Sequence, residues 1–265
     1  MGPDSYIHGY ATPEQERLIA QALHWRDDLI LDGTNLAPGT RLLEVGVGVG
    51  AVLGVLGQAF PGTTLAGVDI EPRQIDFARR YLADLGLDAE LQPADARALP
   101  FADASFDHVW MMWFLEHLDD PVSVLREARR VLVPGGGITA IEVDYSTAWV
   151  RPPSAAIEAL YATGVRGMDA SGRSDAGTQV SRWLAEAGFR AIDPGERVLT
   201  FTGDAIARQA NYVADVWDSA IPSLAQLRGA PAETTLRGAV AELRELDARP
   251  DAALGWIVHK AQAVA

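Results

Sequence analysis

The sequence predicts a single α/β domain built on a doubly wound, mainly parallel sheet. Short apolar runs alternate with helical patterns up to about residue 145, which is typical of repeated strand–helix units. A glycine-rich turn, residues 46–50, directly follows the first of these runs. The 265 residues, 48% of them hydrophobic, suffice to bury one large core, and no low-complexity segment divides the chain.

The first predicted element is helical. Thr12 precedes Pro13, which is a favourable helix opening, and apolar residues recur at helical spacing as far as Leu31. We therefore predict one or two amphipathic helices over residues 13–31.

Strands and helices are predicted to alternate through the next hundred residues. The strands are 41–45, 65–70, 89–95, 106–113 and 138–145. The helices run from the glycine turn to about residue 60, over 72–85 and over 121–132. Because ligands of a doubly wound sheet bind beyond the carboxyl ends of its strands, we expect the site at that edge.

The remaining chain is predicted to add helices and two further strands. Helical patterns at 154–168 and 176–187 precede a strand at 191–201, with an internal turn or bulge at Pro194–Gly195. Residues 203–248 are mainly helical in pattern, and LGWIVHKAQAVA is apolar enough for a final strand. The helical segment is thus an expected insertion between the last two strands.

The composition and charge of the chain disfavour several classes of binding partner. The net charge of −14 disfavours nucleic-acid binding, which needs clustered Lys and Arg. The first twenty residues show no secretory signal, and the apolar run 109–115 is too short to span a bilayer. With no cysteine and no His-rich ligand motif, we expect a cytoplasmic protein with no nucleic-acid, membrane or metal partner. Composition does not indicate the oligomeric state.

The glycine cluster LLEVGVGVGAVL, residues 42–53, matches two ligand-binding patterns. The dinucleotide pattern G-x-G-x-x-G/A is satisfied by Gly46, Gly48 and Ala51. The more compact G-x-G-x-G is formed by Gly46, Gly48 and Gly50. The glycines alone leave both possibilities open.

Acidic residues at the strand ends favour a ligand without phosphate. Glu44, two residues before Gly46, would repel a pyrophosphate but suits an ammonium group such as that of S-adenosylmethionine. Asp69 ends the second strand, where a carboxylate can accept hydrogen bonds from ribose hydroxyls. Asp95 follows the third strand and can accept one from an adenine amino group.

Five motifs in order, LLEVGVGVG, GVDI, ADARALPFADASFD, FLEHL and RVLVPGGG, resemble the class I S-adenosylmethionine-dependent methyltransferases, in particular small-molecule enzymes of the type-11 kind. The resemblance covers about residues 40–145. It implies a Rossmann-like seven-stranded sheet whose last strand is antiparallel, with N-terminal helices and a helical cap insertion. The implied division is an N-terminal helical lid, a cofactor-binding core, the rest of the core, a helical cap insertion and the final strand: 1–35, 36–145, 146–202, 203–248 and 249–265.

The resemblance also implies which residues bind S-adenosylmethionine. Glycines of the turn let the backbone approach the methionine portion, and acids bind its amino group, the ribose and adenine. An opening segment, YIHGY, is similar to one that closes over the cofactor in some of these enzymes. The implied cofactor-binding residues are Tyr10, Glu44, Gly46, Gly48, Gly50, Asp69, Ile70, Asp95, Ala96, Trp113 and Phe114.

The acceptor is expected to be a small molecule, methylated on N, O or C and fitting a specialised metabolite best. His117, after the fourth strand, is the first candidate for a general base, since histidine can accept a proton near neutral pH. Asp144 and Tyr145, at the end of the fifth strand, are further catalytic candidates. Expected substrate-binding residues are Tyr6, His8, Tyr161, Tyr212 and Trp217, with Met168 as another apolar wall.

Each assignment also has a purely structural alternative. Residues 46–50 could form a plain strand-to-helix turn, and Glu44 could pair with Arg41. Asp69 and Asp95 could be helix caps, Trp113 and Phe114 could pack in the core, and Glu116 and His117 could cap or orient a helix. Two alternative functions also remain. One is an NAD-dependent oxidoreductase, and the other is a non-catalytic module that binds S-adenosylmethionine.

Overall fold

The computed structural model describes residues 12–265. Its helices are α1 (Thr12–His24), α2 (Ala51–Ala59), α3 (Pro72–Asp84), α4 (Pro121–Val131), α5 (Ala155–Ser171), α6 (Ala176–Glu186), α7 (Ile206–Leu224) and α8 (Glu233–Arg244). Its strands are β1 (Arg41–Val45), β2 (Thr64–Asp69), β3 (Ala89–Pro93), β4 (Phe106–Met112), β5 (Leu132–Arg151), β6 (Arg190–Asp193), β7 (Glu196–Thr202) and β8 (Ala253–Val264).

All eight strands form one sheet, which confirms the predicted fold class. The strand order is β3-β2-β1-β4-β5-β8-β6, and β7 also pairs with β8. Strands β1 to β5 pair in parallel, whereas β8 is antiparallel to β5, β6 and β7. Because β6 and β7 are separated only by Pro194–Gly195 and share the partner β8, they fill one position, so the sheet has seven.

Helices cover both faces of the sheet, which explains why its central strands are apolar on both sides. One buried cluster joins the strands to α4 and α6, and a second joins them to α1, α2 and α3. A third cluster packs α5, α7 and α8 against the far ends of β5 and β8. Helices α7 and α8 lie between β7 and β8 in the chain.

Strand β5 is much longer than the predicted 138–145. It continues to Arg151 and pairs again with β8 after a bulge between Asp144 and Trp149. The extension carries the chain beyond the sheet edge to the start of α5, so that α5 can pack over the carboxyl ends of the strands.

A buried lysine fixes the segment between α1 and β1. Lys260 on β8 donates hydrogen bonds from Nζ to the carbonyls of Leu29 (2.8 Å), Ile30 (3.2 Å) and Asp32, and to the hydroxyl of Thr34 (2.7 Å). These bonds satisfy the last carbonyls of a π-helical turn, Arg26–Leu31, which would otherwise be buried without donors. The π-helical turn, fixed by these bonds, holds α1 in place.

Candidate functional site

A cavity of about 300 Å³ lies beyond the carboxyl ends of β1 to β5. The sequence-predicted residues that line it are Glu44, Gly46, Gly48, Asp69, Ile70, Asp95, Ala96, Trp113, Phe114, His117 and Tyr145. These residues lie in or just after five neighbouring strands, so the strand order sets their order in space, from Asp95 and Asp69 past the glycine turn to His117 and Tyr145. Tyr6, His8 and Tyr10 lie outside the described residues, and their roles stay predictions.

The glycine turn brings backbone to the cavity. Gly46 and Gly48 have φ of 78° and 48°, in the left-handed region that glycine adopts without strain. A Cβ atom at Gly46 would overlap the ring of Phe114, whereas one at Gly48 would meet nothing within 4 Å. Gly48 N–H donates to Asp69 Oδ2 at 2.9 Å, so the turn and the end of β2 are fixed to each other.

Glu44 is a buried carboxylate that lacks a charge partner. It is 3% exposed, and its Oε2 receives no hydrogen bond from any residue between 12 and 265. Burial, and secondarily the nearby Asp69, raises the pKa of Glu44. The alternative pair with Arg41 is not formed, because Arg41 binds Asp107 at 2.9 Å. A cationic ligand group would supply the missing partner.

Asp69 and Asp95 line the end of the cavity that is next to β2 and β3. Asp69 accepts from the Glu71 N–H at 2.9 Å as well as from Gly48, and burial raises its pKa. The predicted helix-cap alternative does not describe Asp69, because Glu71 is the N-cap of α3. Asp95 instead binds Arg97, with 2.6 Å between Oδ2 and Nη2, and this ion pair lowers the pKa of Asp95.

Ile70 and Ala96 complete this end of the cavity. Ile70 is 49% exposed, which is unusual for a large aliphatic side chain, and it lines the cavity beside Asp69. An exposed aliphatic side chain next to two carboxylates provides a surface on which a planar ring can pack.

A turn after β4 carries Trp113 to His117 and is held by a buried acid on β5. Glu142 is fully buried and accepts the backbone N–H groups of Phe114 (3.1 Å), Leu115 (2.7 Å) and Glu116 (3.3 Å). The capping alternative for Glu116 and His117 is not observed, since Asp120 caps α4. Glu142 was not among the predicted site residues, although a lone acid inside an apolar strand was a visible signal.

Glu116, Tyr145 and His117 form a polar cluster at the β4–β5 end of the cavity. Tyr145 OH donates to Glu116 Oε1 at 3.0 Å, and His117 Nε2 lies 3.6 Å from the same oxygen. Burial lowers the pKa of His117 to about 4, so its imidazole is neutral at pH 7. Burial and Glu116 raise the pKa of Tyr145 well above its usual value, so the phenol is a hydrogen-bond donor rather than a base.

Glu116 and Glu142 form a pair of buried carboxyl groups, and Glu116 is the member that holds its proton more strongly. Burial and the charge of Glu142 raise the pKa of Glu116 well above its usual value. Burial raises the pKa of Glu142 to about 7, although three backbone N–H groups favour its ionised form. Glu116 therefore keeps its proton as the pH rises, and Glu142, which accepts the three backbone N–H groups, is the member of the pair that ionises first.

The structure does not bring all predicted residues to the cavity. Gly50, with φ of 77°, caps α2 and packs against Ala78. Asp144 faces away from the site: Oδ1 accepts from Ser146 Oγ at 2.6 Å and Oδ2 from Thr178 Oγ1 at 3.3 Å, which ties β5 to α6.

Three predicted aromatic wall residues pack in the helical layer instead. Tyr161 and Trp217 are buried in the cluster of α5, α7 and α8, and Tyr212 stacks on His24 with 4.3 Å between ring centroids. The residues of α5 and α7 that do line the cavity are Met168 and Val216.

Helix α1 lies over the cavity, and the lining residues that it supplies, among them Arg17, were not among the predicted site residues. Gln15 binds Gln74 on α3 at 3.0 Å, and His24 binds Gln209 on α7 at 2.9 Å. The helix thereby spans the cavity and brings Arg17 to it, with the guanidinium positioned by Glu14 and Gln21.

Comparisons with known proteins agree with this geometry. A family model described as "Methyltransferase domain" matches residues 43–140. A demethylmenaquinone methyltransferase of Tropheryma whipplei is 30% identical over 166 residues, or 56% of this chain and 67% of the relative. A 27-O-demethylrifamycin SV methyltransferase of Amycolatopsis mediterranei is 37% identical over 131 residues, or 49% of this chain and 47% of the relative. The chain spans only 51% to 60% of the length of three other curated relatives.

A solved structure shows the same fold. The phosphoethanolamine N-methyltransferase 2 of Haemonchus contortus, in complex with phosphomonomethylethanolamine and S-adenosylhomocysteine, gives a TM-score of 0.56 at 18% identity, covering 91% of this chain and 52% of that chain.

No helix within residues 12–265 is long and apolar enough to cross a membrane. The described part of the chain also contains no group of three His, Asp or Glu side chains arranged to hold a metal.

Proposed function

The chain belongs to the class I S-adenosylmethionine-dependent methyltransferases, and we propose that it transfers the methyl group of S-adenosylmethionine to a small-molecule acceptor. The observation that carries the proposal is Glu44, a buried carboxylate beside the glycine turn whose missing partner is a cation. The ammonium group of the methionine portion would stabilise the ionised form of Glu44, whereas a dinucleotide pyrophosphate would disfavour it.

The remaining groups suit the rest of the cofactor. Arg17 is the cation that α1 adds to the cavity, and it complements the methionine carboxylate. Asp69 retains acceptor capacity for the ribose hydroxyls beyond its two backbone bonds. Asp95 and Ile70 would bind the adenine, by hydrogen bonding and by packing.

The bound cofactor supplies an electrophilic methyl group on a sulfonium, so the protein mainly has to align a nucleophile and exclude water. The helices α1, α5 and α7 enclose the cavity for this purpose. With a pKa of about 4, His117 is a weak base in the empty cavity, so its role is to accept a hydrogen bond that orients the acceptor.

The proposed acceptor is a compact specialised metabolite. Met168, Val216 and Trp113 give the cavity apolar walls, and its volume falls in the range of small-molecule sites. The similarity to the rifamycin methyltransferase supports this class of acceptor. A cytoplasmic location is part of the proposal, consistent with a chain that has no cysteine.

Calorimetric titration with S-adenosylhomocysteine and with NAD tests the cofactor assignment. We expect binding of S-adenosylhomocysteine and none of NAD, and the reverse result would overturn the cofactor assignment in favour of the NAD-dependent alternative. Screening amines, phenols and indoles for methylated products by mass spectrometry then separates an enzyme from a non-catalytic binding module.

A matched pair of variants controls the screen. Gly48→Arg fills the cavity without a Cβ clash and should abolish product formation. Gly203→Arg makes the same change at a glycine of similar φ, 54°, that has nothing within 4 Å of its added Cβ and does not line the cavity, so activity should persist. Equal activity in the two variants would contradict the site assignment.

A further inference from the structure

Lys260 is a buried cation that does not line the cavity. It is the only lysine of the sequence, which contains 21 arginines, and it is 3% exposed. Its four hydrogen-bond acceptors are uncharged oxygens, namely the carbonyls of Leu29, Ile30 and Asp32 and the hydroxyl of Thr34. A compact ammonium group can turn its donors toward several oxygens at one helix end, whereas a guanidinium presents its donors in a fixed plane. A lysine therefore suits this place better than an arginine.

The π-helical turn that Lys260 binds is continuous with α1. The carbonyl of Trp25 accepts hydrogen bonds from the N–H groups of Leu29 and Ile30, both at 3.0 Å. The N–H of Trp25 donates to the carbonyl of Gln21 at 3.1 Å. Backbone hydrogen bonds therefore run from the residues that Lys260 binds into the last turns of α1, so a shift of the π-helical turn moves the helix that precedes it.

The π-helical turn also sets which face of α1 points to the cavity. The face that lines the cavity carries Arg17, Leu18, Gln21 and Ala22. A π-helical hydrogen bond spans one residue more than an α-helical one, and one residue corresponds to a rotation of about 100° around the helix axis. Loss of the π geometry would therefore rotate this face, and Arg17 with it, away from the cavity.

Side chains continue this connection to the cavity wall. Gln21 Oε1 accepts from Arg17 Nη1 at 2.7 Å, so the guanidinium is positioned by the same residue whose carbonyl binds Trp25. The ring of Trp25 makes a T-shaped contact with that of Trp113, with 6.4 Å between centroids, and Trp113 lines the cavity. The contacts that start at Lys260 thus end at two residues of the cavity wall.

Resting on the methyl transfer proposed above, we propose that Lys260 is a positioning residue for cofactor binding, which holds α1 through the π-helical turn so that Arg17 meets the carboxylate of the methionine portion. The residues that suit ribose and adenine, Asp69 and Asp95, lie at the ends of β2 and β3 and take no part in these contacts. Loss of the lysine should therefore weaken binding of the amino-acid portion and leave binding of the adenosine portion unchanged.

Two ligands that differ only in the amino-acid portion test this proposal by calorimetry. S-adenosylhomocysteine carries that portion on its sulfur, and 5′-methylthioadenosine carries a methyl group there instead. In Lys260→Met, S-adenosylhomocysteine should bind about tenfold more weakly, as expected for the loss of one charge-assisted hydrogen bond, while the affinity for 5′-methylthioadenosine stays the same. An unchanged ratio of the two affinities overturns the proposal, whereas failure of the wild type to bind S-adenosylhomocysteine overturns the proposed function itself.

Arg190→Met is the matched control. Arg190, on β6, also donates to a backbone carbonyl, that of Ala265 at 3.2 Å, but it does not line the cavity. The substitution again replaces a cation by methionine, so the ratio of the two affinities should keep its wild-type value. Equal changes of the ratio in Arg190→Met and Lys260→Met overturn the proposal.

A double variant tests whether Lys260 acts through Arg17. Arg17→Gln removes the cation that α1 adds to the cavity and should itself weaken S-adenosylhomocysteine binding. Adding Lys260→Met to Arg17→Gln should cause no further loss of affinity, because both substitutions remove the same contact. Losses that multiply in the double variant overturn the proposal.

The single lysine also gives a spectroscopic readout in the wild-type protein. Protein that contains isotope-labelled lysine should show one lysine side-chain signal by nuclear magnetic resonance, that of Lys260. S-adenosylhomocysteine should shift this signal, because its carboxylate binds Arg17 and so acts on α1, and 5′-methylthioadenosine should shift it less. Equal shifts with both ligands, or no shift with either, overturn the proposal, and this measurement decides the matter if Lys260→Met does not fold.

Discussion

Replacing Glu142 should separate the charge of this residue from its hydrogen bonding. In the wild type the N–H groups of Phe114 and Leu115 donate to Oε1 of Glu142, and in Glu142→Ala they lose this acceptor. A buried donor without an acceptor costs about 1–3 kcal/mol, so two such groups, partly rehydrated, should cost about 3 kcal/mol in total. In Glu142→Gln the amide oxygen can still accept both bonds, and only the longer bond from Glu116 N–H is lost.

Thermal unfolding followed by circular dichroism measures the difference. Glu142→Ala should lower the Tm by about 6–12 °C, given about 2–4 °C per kcal/mol for a chain of this size, and Glu142→Gln by much less. Affinity for S-adenosylhomocysteine should fall with the alanine variant, because the loosened turn carries Phe114 against Gly46. Equal Tm values for the two variants would show that Glu142 does not hold the turn through hydrogen bonds.

Three further changes test other parts of the structure. Glu44→Gln should weaken S-adenosylhomocysteine binding about tenfold by calorimetry, since it removes the charge opposite the ammonium group, and an unchanged affinity would refute that contact. Gly46→Ala should lower the Tm more than Gly48→Ala, because only the first added methyl overlaps Phe114; similar Tm values would argue against the packing. Lys260→Met should lower the free energy of unfolding in urea by about 3 kcal/mol, as it leaves buried carbonyls without donors, and a loss below about 1 kcal/mol would contradict this role.

The order of strands and helices was predictable because each element carries its own local pattern. The apolar runs, the glycine turn and the breaks at Pro194–Gly195 are short-range features that need no knowledge of contacts. Glu44 and Asp69 were also within reach, since the carboxyl ends of parallel strands meet at one edge whatever the details of packing.

The direction in which each side chain points was the main feature of the site that the sequence did not predict. Asp144 and Tyr145 are adjacent on a strand, so they point to opposite faces, and only Tyr145 reaches the cavity. On α7 the apolar positions surround much of the helix, so the sequence does not show that Val216 lines the cavity while Trp217 packs in the third cluster. Glu142 acts on residues 26 to 28 positions away, which is a contact that only the fold reveals.

The most direct test of the proposed cofactor contact is the number of protons released when S-adenosylhomocysteine binds, measured by calorimetry in buffers of different ionisation enthalpy between about pH 5 and 8. In the empty protein the pKa of Glu44 is raised by burial, and an ammonium partner would lower it. Binding below the raised pKa must therefore release a proton, and affinity must rise with pH. We expect this release in the wild type and its loss in Glu44→Gln; equal proton release in both proteins would contradict the assignment of Glu44 to the cofactor.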